Sequence, residues 1–246
     1  MRIVTGKFKG KEILSPPSGI ELRPTSDKVR EALFDRIRPF LKGAHFLDLY
    51  SGSGAVGIEA LSEGAEFIAF VEKNPLPLRT LKKNLAIFGV KKFVTVIKKD
   101  VLLLLKNPQK IIERAEKPFD FVFLDPPFPE KIAGKTVELL ADFPLLKEGT
   151  WVIAEHWRVE NLKDTYQGRW ILKRIKERRY GKVVLTYYEV HSPESAEGND
   201  TSENSEDFRR ESDAKKENTE EAEVSGKDVS EAGKETPTEK EPQENS

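Results

Sequence analysis

The sequence predicts an α/β fold with a mostly parallel sheet, and three observations predict it. Short apolar strand-like runs alternate with amphipathic helical runs from about residue 27 to about residue 155. A glycine-rich turn, residues 51–57, stands between the first of these strands and a helix. Another apolar strand, residues 119–124, stops at an acid followed by two prolines, which lack the N–H that a strand ladder needs. Open α/β sheets bind ligands at the carboxyl ends of their strands, so both turns are candidate sites.

The first 24 residues are predicted to form a small β-hairpin extension. Two strand-like runs flank a basic tip, and glycines mark the turn between them. The lysines of the tip, Lys7, Lys9 and Lys11, alternate with Phe8, a pattern that suits phosphate contacts and stacking on a base. The same lysines equally suit a solvated hairpin whose charges only protect an edge strand.

The next segment, residues 25–191, is predicted to be the folded body of the protein. A helix begins after a cap at Thr25 or Ser26 and carries one apolar face. Five strands separated by helices follow, at residues 45–50, 65–71, 93–97, 119–124 and 150–155. Two further runs on either side of Tyr180-Gly181 then predict an antiparallel hairpin over residues 169–190.

Charge is distributed unevenly along the chain. Residues 192–246 hold 18 of the 42 acids and 7 of the 41 bases, so the remaining 191 residues carry 24 acids and 34 bases. The body therefore has a net charge of +10 and the tail one of −11. A basic body favours a polyanionic partner. The tail contains few apolar residues and is predicted to be a disordered, solubilising segment.

Several classes of site and location are excluded or not favoured. The chain has no cysteine, which excludes disulfides, iron–sulfur clusters, cysteine zinc sites and thiol nucleophiles. Its three histidines are scattered, and we expect no metal. The first residues lack the apolar run of a signal peptide, and no segment approaches the roughly 18 apolar residues that span a membrane. We therefore expect a cytoplasmic monomer with no membrane partner.

The glycine-rich turn has the order of elements expected of a nucleotide-type site. Gly52 and Gly54 allow positive φ and let the backbone approach a ligand, and the following helix offers free N–H groups. Glu72 ends the second strand 20 residues after Gly52, where an acid can accept from both hydroxyls of a ribose. Asp100, just after the third strand, can accept from an adenine amino group or simply cap a helix. The predicted cofactor contacts are Asp48, Tyr50, Ser51, Gly52, Gly54, Glu72, Lys73, Asp100 and Val101.

The second candidate turn is Asp125-Pro126-Pro127-Phe128. The Asp125 carboxylate and the Pro126 carbonyl are two hydrogen-bond acceptors that can both face the crevice. Phe128 adds a flat apolar face beside them. Two acceptors and an aromatic face suit a planar ring that bears an NH2 group, such as a nucleobase.

Two cofactors fit the first turn. Residues 52–57 match G-x-G-x-x-G, so an NAD-binding enzyme is one interpretation. S-adenosylmethionine proteins use the same strand, turn and helix. Three features favour S-adenosylmethionine: Asp48 can meet a cationic amino group that NAD lacks, the Asp125 turn has no role in hydride transfer, and an antiparallel hairpin after five strands fits a seven-stranded methyltransferase sheet.

The Asp125-Pro126-Pro127-Phe128 turn resembles the (Asp/Asn)-Pro-Pro-(Phe/Tyr) motif of amino-directed S-adenosylmethionine methyltransferases. Over about residues 1–190 the chain resembles the bacterial small-subunit ribosomal RNA guanine-N2 methyltransferases. The pieces that carry this resemblance are Arg2-Ile3-Val4-Thr5-Gly6, Lys9-Gly10, Arg23-Pro24-Thr25, Val29-Arg30-Glu31-Ala32-Leu33-Phe34, Leu47-Asp48-Leu49-Tyr50-Ser51-Gly52-Ser53-Gly54, Glu59-Ala60-Leu61, Val71-Glu72, the Asp125 turn with Phe123-Leu124 before it, and Arg179-Tyr180-Gly181. The acidic tail lies outside the pattern, and Ser62-Glu63-Gly64 departs from the expected Ser-Arg-Gly.

The resemblance implies a Rossmann-like class I methyltransferase with a seven-stranded sheet. It implies methyl transfer from S-adenosylmethionine to the exocyclic N2 of a guanine in 16S ribosomal RNA or an assembling 30S subunit. Asp125, Pro126, Pro127 and Phe128 would form the catalytic turn, and the RNA contacts would be Arg2, Lys7, Lys9, Lys11, Arg23, Thr25, Arg30 and Arg179. A DNA adenine-N6 or cytosine-N4 methyltransferase, an NAD-dependent enzyme and a non-catalytic RNA-binding module remain as alternatives.

Overall fold

The computed structural model describes residues 1–16, 26–127 and 130–196. The predicted contacts Arg23, Thr25 and Phe128 and most of the predicted tail lie outside the described residues. The helices are α1 Asp27–Ile37, α2 Ala55–Ser62, α3 Pro75–Ile87, α4 Val101–Lys106, α5 Gln109–Ile112, α6 Ala133–Leu140 and α7 Pro193–Ala196. The strands are β1 His45–Leu49, β2 Phe67–Val71, β3 Val94–Ile97, β4 Phe121–Leu124, β5 Trp151–Trp157, β6 Thr165–Gln167, β7 Ile171–Tyr180 and β8 Val183–His191. Short 3-10 helices cover Gly6–Phe8, Arg38–Phe40 and Lys91–Phe93.

The strands form a single sheet in the order β3-β2-β1-β4-β5-β8-β7-β6. Strands β1 to β5 are parallel, and β8 joins β5 in the antiparallel direction. The chain runs outward from β1 toward β3 and then returns to place β4 on the other side of β1. This reversal creates a crevice at the carboxyl ends of β1 and β4, which is where open α/β sheets bind ligands.

The predicted Rossmann-like α/β fold is confirmed, with one strand more than the seven expected. The eighth strand, β6, is three residues long and pairs with the edge strand β7. Only Tyr166 of its three side chains is buried. A run this short gives no periodic pattern, so the sequence does not reveal it.

Side chains alternate between the two faces of the sheet, and each face is covered by helices. On one face, here called the α1 face, Phe46, Phe70 and Phe123 pack with residues of α1, α2 and α3. On the opposite α6 face, Leu47 and Leu124 pack with residues of α4, α5 and α6. All five residues of β1 are buried, as expected of a central parallel strand covered on both sides.

The N-terminal extension is only partly the β-hairpin that was predicted. An antiparallel bridge joins Arg2 to Glu12, and the tip between them is a 3-10 turn. Ile3 and Ile13 are each 1% exposed and belong to the core on the α1 face. The described part of the extension therefore packs into the body rather than standing apart from it.

The predicted C-terminal hairpin is present, and Tyr180 pairs with Val183 across the Gly181-Lys182 turn. Gly181 has φ +62°, a left-handed conformation that suits glycine at a two-residue hairpin turn. The predicted start of the disordered tail at residue 192 needs correction. Residues 193–196 form the short helix α7, because the Ser192 N–H donates to Glu148 and the Ser192 hydroxyl accepts from the Ser195 N–H.

Candidate active site

The glycine turn, residues 51–57, is held in place by the end of the neighbouring strand β2. Both the backbone N–H and the hydroxyl of Ser51 donate to the Val71 carbonyl, at 3.0 and 3.2 Å. Tyr50, Gly52 and Gly54 all have positive φ, at 60°, 52° and 83°. This conformation turns the chain sharply from β1 into α2.

The glycines of this turn serve different purposes. A Cβ on Gly54 would lie 2.3 Å from Leu81, and one on Gly57 would lie 2.3 Å from the Phe70 ring, so these two glycines let α2 pack against its neighbours. A Cβ on Gly52 would have no neighbour closer than the Tyr50 carbonyl at 4.0 Å. Gly52 therefore faces open space, and of the three glycines its backbone is the one that a ligand can approach.

Glu72, at the end of β2, is 7% exposed and is oriented by two backbone groups. One carboxylate oxygen accepts from the Gly52 N–H at 2.9 Å, and the other accepts from the Asn74 N–H at 2.7 Å. Each oxygen keeps a further lone pair for a ligand donor. The predicted juxtaposition of Glu72 with the glycine turn is therefore present, and it can hold a pair of hydroxyls.

Asp48 lies beneath the glycine turn and is 2% exposed. One of its oxygens accepts from the Gly57 N–H at 3.0 Å. Burial raises the pKa of Asp48 to about 8, opposed by the Gly57 bond and reinforced by the negative charges of Asp125 and Glu72. At neutral pH the carboxyl group is therefore mostly protonated, and a cation placed beside it would favour its ionised form.

The Tyr50 side chain makes a hydrogen bond within the protein. Its hydroxyl lies 2.8 Å from the Thr136 hydroxyl, which itself donates to the Ile132 carbonyl, so Tyr50 donates and Thr136 accepts. Burial holds the pKa of Tyr50 above its usual value. Tyr50 thus fixes β1 to α6, and only its backbone and ring remain for a cofactor.

Asp100 performs the capping role that the sequence left open. One oxygen accepts from the Leu103 N–H at 3.2 Å at the start of α4, and the other lies 3.3 Å from the Lys73 ammonium. Lys73 also lies 3.9 Å from Glu130. The Asp100 side chain is 31% exposed, and Val101 beside it is buried. These residues lie at the carboxyl end of β3. The contact of Asp100 with an adenine amino group stays a prediction.

The acid–proline turn, Asp125-Pro126-Pro127, begins directly beside the glycine turn. Leu124, the last residue of β4, pairs in register with Leu49, the last residue of β1. Asp125 and Tyr50 are therefore the next residues on adjacent strands. Pro126 is buried, whereas Asp125 and Pro127 are half-buried. Asp125 is also close enough to Asp48 to raise its pKa, so the two turns share one electrostatic environment.

Of the predicted RNA contacts that are described, five lie on the surface. Arg2, Lys7, Lys9 and Lys11 are exposed on the extension, and the Arg179 side chain is 63% exposed on the last hairpin. Phe8 is already engaged, since its ring packs edge-on against Phe88 at 5.2 Å, with the Lys7 and Lys11 ammonium groups over its face. Stacking of Phe8 on a base would require it to leave this contact.

The prediction that Arg30 contacts RNA needs correction. Arg30 is 0% exposed, and its guanidinium donates to Glu59 at 2.8 Å, to Asp27 at 2.9 Å and to the Arg2 carbonyl at 2.6 Å. The other oxygen of Glu59 accepts from the Val4 and Thr5 N–H groups, both at 2.8 Å. Arg30 is therefore an internal clamp between α1, α2 and the extension. The apolar spacing of α1 gives no sign of this, because an arginine normally lies on the solvent face.

The structure also reveals residues at the crevice that the sequence analysis did not select. Glu155, near the end of β5, is 2% exposed. It follows four apolar residues of β5, and an acid directly after such a run is the signal that could have identified it. Within the three described ranges, no group of three or more His, Asp or Glu side chains could hold a metal ion. In the same part of the chain, no helix combines the length and the apolar character needed to cross a membrane.

Comparison with known proteins gives a consistent family. The family model described as Conserved hypothetical protein 95 matches residues 1–189. Ribosomal RNA small subunit methyltransferase D of Escherichia coli K12 is 33% identical over 189 residues, which is 77% of this chain and 89% of that protein. YlbH of Bacillus subtilis is 34% identical over 188 residues, covering 76% of this chain and 98% of YlbH. The solved structure of Escherichia coli yhhF superposes with a TM-score of 0.64 at 29% identity, covering 78% and 98% of the two chains.

Proposed function

Because the chain belongs to the family described as Conserved hypothetical protein 95, within which it is similar to ribosomal RNA small subunit methyltransferases, we propose that it transfers a methyl group from S-adenosylmethionine to the N2 amine of a guanine in small-subunit ribosomal RNA. The observation that carries the proposal is the adjacency of two turns. A cofactor-type turn (Gly52, Glu72) and an amine-type turn (Asp125, Pro126) leave adjacent strands side by side at the reversal of strand order. The basic body, with a net charge of +10, favours a nucleic acid as the partner.

The donor would occupy the half of the crevice formed by β1, β2 and β3. Gly52 offers open backbone for the methionine part, and Glu72 offers acceptors for the ribose hydroxyls. Asp48 would face the donor's ammonium group, and Asp100 with Val101 would border the adenine. When bound, S-adenosylmethionine supplies an electrophilic methyl group on a positively charged sulfur.

The acceptor amine would enter from the β4 side. An exocyclic amine is a weak nucleophile, because its lone pair is delocalised into the ring. Acceptance of its two hydrogens by the Asp125 carboxylate and the Pro126 carbonyl would favour a pyramidal nitrogen whose lone pair points at the methyl group. The Pro126 carbonyl oxygen carries two lone pairs and can accept from the amine. Positive charge disappears from sulfur as the methyl moves, so a fixed approach and a dry crevice contribute most to the rate. The nitrogen then loses one proton, for which Asp125 is the nearest carboxylate in the scheme.

The target base must be unpaired or flipped to reach this turn, since N2 lies inside a helix when guanine is paired. The exposed lysines of the extension and Arg179 would hold the surrounding phosphates. Binding should therefore weaken steeply with salt. The predicted 30S particle, the monomeric state and the cytoplasmic location belong to the same proposal.

The decisive experiment is transfer of labelled methyl from S-adenosylmethionine to three acceptors. These are 16S ribosomal RNA, 30S particles that lack the modification, and duplex DNA, each digested afterwards to nucleosides. We expect label in N2-methylguanosine from RNA or from particles. Label in DNA adenine or cytosine would contradict the proposal and favour a DNA amino-methyltransferase that uses the same two turns.

Cofactor binding should release a proton from Asp48. Its pKa of about 8 in the free protein leaves it mostly protonated at pH 7. The donor's ammonium group would lower that pKa by favouring the ionised carboxylate, so affinity should rise with pH as pH 8 is approached. Calorimetry at pH 7 in buffers of different ionisation enthalpy measures the protons released, while the donor's own amino group stays largely charged. We expect release of most of one proton by the wild type and none by Asp48→Asn. Equal release by both proteins would contradict the assignment of Asp48.

A further inference from the structure

A cavity of about 340 Å³ opens on the α1 face of the sheet, between the start of α1 and the last hairpin. It is lined by the start of α1, by the end of β5 and by the turn of the last hairpin, and the residues that matter here are Lys28, Glu155, Arg179 and Tyr180. Its volume lies near the lower end of the roughly 300–1,000 Å³ found for small-molecule sites. It is therefore of a size to take a single nucleotide part rather than a whole cofactor.

The register of the sheet places Glu155 next to Asp125. Leu124 of β4 pairs with Ala154 of β5, so Asp125 and Glu155 are the next residues on adjacent parallel strands. Neighbouring strands lie about 4.8 Å apart. Side chains alternate along each strand, and Phe123 and Ile153 both belong to the core on the α1 face. Asp125 and Glu155, two residues further on, share that face, which is also the face that holds the cavity.

The chemistry of the cavity is that of a site for a base with its phosphate. Glu155 is 2% exposed, and its carboxylate, when ionised, accepts hydrogen bonds and cannot donate them. Tyr180 is half-buried and offers an aromatic ring, while Lys28 and Arg179 are exposed cations at the rim. Arg179 also pairs with Glu177 at 3.0 Å, which holds it on the hairpin. The Glu155 carboxylate inside the cavity can accept from the N–H groups of a base. Lys28 and Arg179 at the rim can bind the phosphate attached to that nucleotide.

We propose that this cavity receives the target guanine and that Glu155 selects it by accepting the N1–H, while Asp125 and Pro126 hold the adjacent N2 amine. The inference rests on the proposed function and names the residue that sets its base specificity. Guanine carries donors on two neighbouring positions, N1 and N2, and the two carboxylates stand on neighbouring strands. A purine that has the N2 amine but a bare N1 lone pair would set that lone pair against the Glu155 carboxylate. The site rejects such a base, because two hydrogen-bond acceptors would then face each other.

The test uses an acceptor that differs from guanine at the N1 edge and keeps the methylated amine. Once the methylated guanine has been located, 2,6-diaminopurine is placed at that nucleotide, in whichever acceptor gave label. Wild type and Glu155→Gln are compared on both substrates by kcat/KM. Wild type should prefer guanine by about 100-fold or more. The glutamine amide can donate to the bare N1, so Glu155→Gln should reduce this ratio at least about tenfold, partly by a gain on 2,6-diaminopurine.

The ratio of two substrates in one preparation does not depend on the folded fraction, so a destabilised variant still gives an answer. Glu66→Gln is the matched control, because Glu66 directly precedes β2 at the amino ends of the parallel strands, away from the crevice, and pairs with Lys117 at 2.9 Å. Its ratio should equal that of the wild type. An unchanged ratio in Glu155→Gln, or an equal loss on both substrates, overturns the role of Glu155 and leaves the proposed function standing. Absence of N2-methylguanosine with the wild type refutes the proposed function itself.

Discussion

Methyl transfer should fall by about 10²–10⁴-fold when Asp125 is replaced with alanine. The variant loses an acceptor for the amine at the turn that leaves β4 next to β1. The fold should survive, because Asp125 is half-buried at a strand end while the apolar residues of β4 stay in place. Cofactor affinity should change only a few-fold, since the donor half of the crevice is formed by β1 to β3. Single-turnover kinetics with labelled donor, together with calorimetry of donor binding, measure both quantities.

Two further variants separate the roles of Asp125. Asparagine keeps an acceptor oxygen but cannot take a proton, so Asp125→Asn should retain more activity than Asp125→Ala if positioning dominates. Asp120→Asn, at the amino end of the same strand and paired with Lys147, is the control and should leave turnover unchanged. Turnover by Asp125→Ala within threefold of the wild type would refute its catalytic role.

Glu59→Gln should destabilise the folded protein by about 3–5 kcal/mol. The substitution removes the fully buried ionised partner of the Arg30 guanidinium, 2.8 Å away, and leaves it only the ion pair with the exposed Asp27. The glutamine amide also replaces the carboxylate of Glu59, one oxygen of which accepts from the Val4 and Thr5 N–H groups. The extension should therefore open more readily than the sheet. Urea unfolding gives the free energy, and hydrogen exchange at Val4 and Thr5 reports the local opening.

The neighbouring acid Glu63 provides a control of the same chemistry. It pairs with Arg38 at 3.2 Å, and the Arg38 side chain is 42% exposed. Glu63→Gln should cost about 1 kcal/mol or less, because solvent reaches the Arg38 side chain and screens the pair, although Glu63 itself is 10% exposed. A loss below about 1 kcal/mol for Glu59→Gln as well would mean that the buried pair is not what holds the extension.

The parallel sheet and the two turns could be predicted from sequence because their signals are local. Apolar runs, positive-φ glycines and a pair of prolines constrain the backbone wherever they occur. The position of Glu72 followed from its offset to Gly52, and the two are in fact bonded at 2.9 Å. The separate tasks of Gly52 and Gly57 could not be assigned, because they depend on what stands opposite each glycine in space.

The sequence does not reveal the roles of residues whose partners lie far away along the chain. Arg30 resembles any helical surface arginine until Glu59 is brought against it, 29 residues later. Phe8 resembles a free stacking ring until Phe88 covers one edge. A role for Glu155 can be inferred only from the strand register that puts it beside Asp125. Each case needs a long-range contact, which neither periodicity nor a short motif contains.

The clamp around Glu59 also imposes an order on the folding of the growing chain. Val4 and Thr5 depend on a carboxylate 55 and 54 residues ahead of them, and Leu14 depends on Asn84, 70 residues ahead. At translation rates of about 5–20 residues per second, these groups wait several seconds for their partners. During that interval Ile3 and Ile13 have no core to enter. The extension therefore cannot dock until α2 and α3, which carry Glu59 and Asn84, have been synthesised.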